Sequence, residues 1–386
     1  MAGKKVDAER LSDQFVQPVS ETGALTKKEE AYYMASGRKL MWWKFKKHKI
    51  ALIALPIIML LYLGAAFSEF FSPTTADKTH SEYKNCPPQS IHIYDENEGF
   101  CAPFVYGLNR TTDLKTFTRV YEIDKSIRHP VKFFARGEPY KLWNLIPGDL
   151  HLISSEGPMF LIGTDGLGRD MLSRVIYGSR ISLSIGLAGV VFTFVFGLLL
   201  GGISGYAGGW VDNLIQRLIE LLMCIPPVPL WMTLAASLPR DWSTTRTYLG
   251  IVIVMSLVNW TGLARVVRGM ILAYRSEDFV LAARIAGAKG SYIMRRHLLP
   301  TMTSYIIVHL TMAIPGSIVA ETLLSFLGLG LRPPVVSWGV IMQNANNLPS
   351  IAGQPWLLLP LAWLVVASLC FNFVGDGLRD AADPYK

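Results

Sequence analysis

Few residues in this chain have the types and spacing that chemistry needs. Asp165, Arg169 and Asp170 make one polar cluster beside long apolar runs, the candidate set for a membrane-embedded enzyme. His80, His92, His129 and His151 do not fall at metal-ligand spacing and read as ordinary surface histidines. His309 stands inside an apolar run, where a polar group either serves a pathway or packs against a neighbouring helix. A phosphate loop of the GxxxxGKS or GxxxxGKT type is absent, since Gly-Lys occurs only at Gly3-Lys4. GxSxG and HExxH are absent too, so any ATP used must bind another subunit. Cys86 and Cys101 have 14 residues between them, and an oxidising compartment would let them bridge. Cys224 and Cys370 lie in apolar runs as packing residues.

The most informative stretch runs from Ser276 to Pro300. Ser276 is a candidate N-cap with Glu277 and Asp278 in the first turn. Phe279–Ala286 then forms a short helix that Gly287 can end with a positive φ. A second helix follows from Ser291, and Pro300 marks entry to the next apolar run. Ala282, Ala283 and Ala288 are small enough for a partner to come close. Arg284 and Lys289 put charge at the rim. The plain alternative is a helix–turn–helix connector.

These residues must be positioned by the apolar runs around them. Of 386 residues, 51% are hydrophobic and only 17% charged, against about a quarter charged in soluble domains. A membrane helix takes about 20 apolar residues. Six runs qualify: 50–68, 181–211, 221–239, 247–264, 298–320 and 356–374. The first starts too late for a cleaved signal peptide and reads as a retained span. Net charge is +8, better explained by membrane topology than by nucleic acid, which is not an expected partner. Residues 1–49 carry 11 Lys/Arg against 6 acids, and 265–300 carry 7 against 2. With six spans and a cytoplasmic N-terminus, both basic segments face the cytoplasm. Both termini are then cytoplasmic.

Residues 1–35 are polar without a period and read as a mobile arm. Arg38–Lys49 interleaves Trp42, Trp43 and Phe45 with lysines, a pattern suited to the inner membrane surface and its lipid. The segment 72–158 lies outside as a small β-containing domain, with strands near 91–94, 120–123 and 131–134. Pro226, Pro227 and Pro229 interrupt the third run, and Pro315-Gly316 the fifth. Glu321, near the outer end of the fifth, is a gate or a structural partner. Gly201, Gly202 and Gly205 allow close helix contact.

The 276–300 stretch resembles the EAA-type coupling loop of ABC importer permeases. The pair Ala282-Ala283, Gly287 four residues on, and Leu299-Pro300 carry the match. Leu281 departs from it, because the family usually has Glu before the alanine pair. The runs Gly163–Arg174, Tyr177–Leu183 and Gly205–Asp212 are similar to oligopeptide and dipeptide permeases of the OppC/DppC-like subunit type. So are Glu321–Gly330 with Pro333-Pro334 and Ser337–Gly339, and the end Gly375–Pro384.

The resemblance implies an all-α membrane protein with six transmembrane helices of type I ABC importer permease architecture, and the residues themselves add the small external β-containing domain between helices 1 and 2. The apolar runs and the resemblance together divide the chain into a cytoplasmic arm 1–49, helix 1 at 50–71, an insertion 72–158 and a permease core 159–386 with the coupling loop 265–300. The resemblance implies half of a translocation pathway for peptides in a bacterial inner membrane. A second homologous permease, two cytoplasmic ATPases and a periplasmic solute-binding protein complete the machine. ATP and Mg belong to the ATPases, and this chain itself takes no cofactor, metal or catalytic residue. Ala282, Ala283, Arg284, Gly287, Ala288 and Lys289 are the implied ATPase-coupling residues. Pro227, Pro315, Gly316 and Glu321 are the gate or pathway candidates. Oligosaccharide, opine or nickel cargo remains open, and an ion-driven secondary transporter is the remoter alternative.

Overall fold

The computed structural model describes residues 37–95, 99–112, 119–143, 145–346 and 348–382. The arm expected at 1–35 lies outside them, as do residues 383–386. Helix α1 (Gly37–Phe45) holds the basic-aromatic stretch. In it Lys39 lies over the Trp43 ring, and Lys46 over Trp42. Phe45 is buried against Gly377 near the far end of the chain.

Helix α2 (Lys49–Ala66) is apolar throughout, and α3 (Ser68–Phe71) adds one turn beyond it. The core follows as α4 (Met171–Ala207), α5 (Gly209–Cys224), α6 (Pro227–Ala236) and α7 (Thr244–Tyr274). Next come α8 (Asp278–Ile285) and α9 (Gly290–Ile293), which runs through a π turn at Met294–Leu298 into α10 (Leu299–Phe326). The chain closes with α11 (Trp338–Met342), α12 (Leu348–Gly353) and α13 (Leu359–Ala382). Among the described residues, five helical stretches are long and apolar enough to cross a membrane.

The third expected run is not one kinked helix. It is the pair α5 and α6, bent by 87°. Proline disfavours helical geometry in the residue before it. Ile225 and Pro226 are accordingly extended, with ψ of 126° and 127°. Pro227 therefore opens α6 rather than bending a span from within. The fifth run differs the other way, because α10 continues through Pro315 and Gly316. Pro315 is buried and Gly316 faces outward with open space around it.

Small residues set the helix spacing. Gly197, Gly201 and Gly205 recur every four residues along α4 and face α7. A Cβ on Gly201 would stand 2.4 Å from the Ala264 carbonyl oxygen, so the helices meet nearly backbone to backbone.

Among the described residues, the insertion is a four-stranded antiparallel sheet in the order β1-β2-β3-β4. The strands are β1 (His92–Asp95), β2 (Gly99–Thr112), β3 (Arg119–Leu142) and β4 (Ile146–Ser155). Two expected strands merge in β3, while β2 and β4 are additional. Pro103 is tolerated in β2 because the β1 register shifts beside it and its β3 pairing begins only at Phe104.

Cys86 and Cys101 are both free thiols, so the expected bridge is not formed. Cys86 is fixed elsewhere: its N–H donates to Thr164 Oγ1 at 2.8 Å, and its carbonyl accepts from Thr164 N at 2.9 Å. Cys101 belongs instead to β2. Cys370 is buried as expected, but Cys224 is exposed because α5 ends there at the bend.

Candidate functional site

The loop between α7 and α10 is anchored from behind. Val280 and Ile293 are fully buried in a cluster with Ile271, Leu298 and Met302. A Cβ on Gly290 would meet the Tyr206 ring at 2.7 Å, so the last turn of α4 presses on the start of α9. Displacement of this loop is thus felt directly by α4, α7 and α10.

Glu277, not Ser276, occupies the N-cap of α8, and the Ser276 hydroxyl turns back to Ala273 O at 3.3 Å. The other end is as expected. Gly287 has φ of +80°. Its N–H donates to Arg284 O at 3.0 Å, and Ala288 N to Ala283 O at 3.0 Å. That pair of bonds is the Schellman arrangement, which satisfies the last carbonyls of the helix.

The outward surface is apolar with a basic border. Leu281 and Ile285, one turn apart, are both exposed, Ile285 by 87%. Ala282, Arg284, Gly287 and Lys289 are exposed, while Ala283 and Ala288 are half-buried against the anchoring cluster. A groove of about 490 Å³ opens beside α8, lined by Gly287, Lys289, Tyr292 and Arg295 among others. Five of the six expected residues therefore border this surface directly or line its groove, and Ala283 braces it from inside.

Sequence reading missed the braces nearby. Arg268 of α7 holds Asp212 of α5 through two nitrogens at 2.6 Å each. Asp212 also accepts from Ser204 of α4. Charged residues beside the ends of apolar runs were the available signal, but their pairing was not.

Glu321 is fully buried. It accepts from Ser325 Oγ at 2.8 Å, Ser337 Oγ at 2.9 Å and Ser182 Oγ at 3.1 Å. Ser182 Oγ in turn accepts from Trp338 N at 3.1 Å. One carboxylate thus ties α4, α10 and the loop into α11. Pro227, Pro315 and Gly316 neither bond to this node nor line the groove beside α8. His309 is half-buried in α10.

The polar cluster at 165–170 is consumed by local structure. Asp165 accepts from Leu167 N, Arg169 N and Arg169 Nε at 2.7–3.0 Å. Asp170 caps α4, accepting from Ser173 N at 2.8 Å and Ser173 Oγ at 2.6 Å. Burial pushes the Asp170 carboxyl up to about 6, with the Ser173 bonds opposing it. Both acids are buried. Among the described residues, no group of three or more His, Cys, Asp or Glu could hold a metal ion.

Residues 194–385 match the family described as binding-protein-dependent transport system inner membrane component. Residues 36–88 match the N-terminal TM domain of oligopeptide transport permease C. The dipeptide transport system permease protein DppC of Lactococcus lactis subsp. cremoris (strain MG1363) is 34% identical, covering 89% of this chain and 89% of that protein.

The chain belongs to the binding-protein-dependent transport permeases.

DppC of Bacillus subtilis (strain 168) is 30% identical over 89% of this permease and 84% of that protein. The oligopeptide transport system permease protein OppC of the same organism is 38% identical over 58% and 70%. Among solved structures, the inward-facing MetNI methionine ABC transporter is 18% identical. It covers 55% of this permease and 97% of that chain, with a TM-score of 0.42. The permease is thus a multi-pass inner-membrane transport component and not an enzyme. ATP hydrolysis falls to partner ATPases. A further permease and a solute-binding protein belong to such an importer.

Proposed function

We propose that this permease forms half of the pathway of an ATP-driven importer of peptides. The observation that carries the reading is α8: anchored by Val280, closed at Gly287, and presenting Leu281, Ile285 and Arg284 outward. A rigid, surface-exposed lever wedged between three long helices suits the transmission of ATPase closure to a membrane pathway. The relatives named for dipeptides and oligopeptides support peptide cargo.

In this reading the α5–α6 pair counts as one broken span, giving six spans with both termini cytoplasmic. One of two ATPases, each carrying its own ATP and Mg, receives α8 in a groove. Ala282, Arg284, Gly287 and Lys289 form the contact, with Ala283 and Ala288 as its support. Leu281 and Ile285 replace a charged contact by an apolar one. A second homologous permease supplies the other half-pathway. The insertion at 72–158 meets the solute-binding protein. The bend at Pro227 and the proline-glycine pair at Pro315-Gly316 give the pathway helices freedom to move. Glu321 serves as a structural node and not as a gate. This chain takes no cofactor, and Cys86 and Cys101 stay reduced. Lysines and tryptophans of α1 rest on inner-leaflet lipid.

The test is native mass spectrometry of the solubilised complex with its binding protein, followed by uptake in liposomes. A second permease, two ATPases, a bound peptide and ATP-dependent uptake are expected. A sugar or metal in place of the peptide would move the cargo. Transport by this chain alone without ATP would overturn the reading.

A further inference from the structure

The sheet reaches back to the membrane boundary at one place. Trp143, at the end of β3, donates its ring N–H to Ala66 O at 3.0 Å and its backbone N–H to Glu69 Oε1 at 3.3 Å. Ala66 is the last residue of the apolar helix α2. The β3–β4 hairpin therefore has its tip level with the end of a span. Its described residues are apolar and largely exposed: Leu145 is 81% exposed, Ile146 62% and Trp143, whose ring packs under Arg180, 55%. Phe134, further up β3, is also exposed and touches Phe70 of α3.

A second feature lies beside it. A crevice of about 530 Å³ is walled by Leu60 and Gly64 of α2, Phe71, Leu152 of β4, Ile176 and Trp363, among others. Ser179 brings its one hydroxyl, which is spent on Val175 O at 2.9 Å. Such walls offer water nothing to bond, and their volume suits a small apolar ligand. The crevice joins α2, α4 and α13 to the sheet.

We propose that the β3–β4 hairpin is a membrane anchor: Trp143, Leu145 and Ile146 dip into the headgroup zone, and an acyl chain of a bilayer lipid fills the crevice behind them. The assignment rests on reading α2, α4 and α13 as spans, and not on the cargo. Aromatic side chains favour this zone because one end is apolar and the other can bond to water. A lipid is favoured over a soluble partner because the tip is tied to the last turn of a span. The anchor would hold the insertion at a fixed height above the pathway.

The test uses the full chain, assembled with its partner subunits in nanodiscs, with its four native cysteines replaced. A fluorophore on Leu145→Cys is compared with one on Ile123→Cys, which is 65% exposed higher on the sheet. Headgroup-region spin-labelled phosphatidylcholine should quench the Leu145 probe at least threefold more than the Ile123 probe, and aqueous iodide the reverse. Equal iodide quenching at both sites, or shielding of Leu145 from lipid and iodide alike, would overturn the anchor. For the crevice, Gly64→Phe is tested, since Gly64 has open space around it. Native mass spectrometry should show loss of one retained lipid per complex relative to the parent, and unchanged lipid retention would overturn that half.

Discussion

Arg180 clasps Glu69 across 111 residues of sequence, with Nη1 at 2.9 Å and Nη2 at 2.6 Å from its two oxygens. The same guanidinium donates to Ala65 O and Ala66 O and covers the Trp143 ring at 4.4 Å. It therefore caps the α2 carbonyls, fixes α4 against them and holds the β3–β4 hairpin. Removing one member of a buried pair leaves the other uncompensated, at about 3–5 kcal/mol. Arg180→Ala should lower the melting temperature of the detergent-solubilised permease and expose the β3–β4 turn to protease. An unchanged melting temperature and cleavage pattern would refute the clasp. Burial alone would raise the Glu69 pKa, but the Arg180 bonds and charge hold it below its usual 4.5. A lowered pKa means stability present above 4.5 and lost as pH falls through the folded value. In Arg180→Ala the acid limb of the melting curve should flatten.

Asp170 has the opposite sign. Its carboxyl keeps a proton up to about 6 in the folded protein, against 3.8 for the ordinary group. The native state binds more protons between those values, so this contribution to stability is present below 3.8 and is lost as pH rises through about 6. Asp170→Asn keeps a capping oxygen and cannot ionise. The variant should match the parent near pH 4 and melt higher at pH 8. Parallel melting curves across that range would show that Asp170 does not titrate near 6.

Glu321 distinguishes a node from a gate. Three serine hydroxyls point at it from α4, α10 and the α11 cap. Buried donors left unpaired cost about 1–3 kcal/mol each. Glu321→Ala should therefore destabilise the permease and loosen α11, read as faster hydrogen exchange at Trp338. Normal stability with altered transport would favour a gate.

How much of this was legible in the sequence follows physical range. The end of α8 was legible because a helix stop is local chemistry, and Gly287 does what its type permits. The break at Pro226-Pro227 was legible as a proline effect, but the 87° angle depends on packing on both sides. β2 was not legible, because Pro103 breaks the pattern and only the bulged pairing with β1 makes room for it. The Glu69–Arg180 clasp was not legible at all. Both residues sit at ends of apolar runs, where a charge alone is ordinary. Cys86 and Cys101 misled for the same reason: short spacing says nothing of which neighbour each backbone chooses.

Gly201 tests the α4–α7 contact. Its missing Cβ would collide with backbone at Ala264, which cannot rotate away as a side chain could. Gly201→Leu should push the helices apart, at about 1–3 kcal/mol or more of overpacking. Poor assembly and a lower melting temperature are expected, whereas Gly316→Leu, with open space around it, should melt like the parent. Equal behaviour of the two variants would mean that the close approach of α4 and α7 carries no stability.

Gly287 separates shape from space at the coupling surface. Nothing lies within 4 Å of its absent Cβ, so a larger residue meets no neighbour. Its φ of +80° is the obstacle, because β-carbons resist the left-handed region by about 1–2 kcal/mol. Asn tolerates that region and Val does not. Gly287→Asn should keep most of the parent uptake per ATP hydrolysed, and Gly287→Val should cut it roughly tenfold. The tenfold figure corresponds to about 1.4 kcal/mol at the coupling contact. Insertion and melting temperature should change little in either variant, because the core anchored by Val280 and Ile293 is untouched. The order of the two variants is what matters. If Asn impaired coupling as much as Val, size at the ATPase contact would govern it, and the positive-φ helix stop would not.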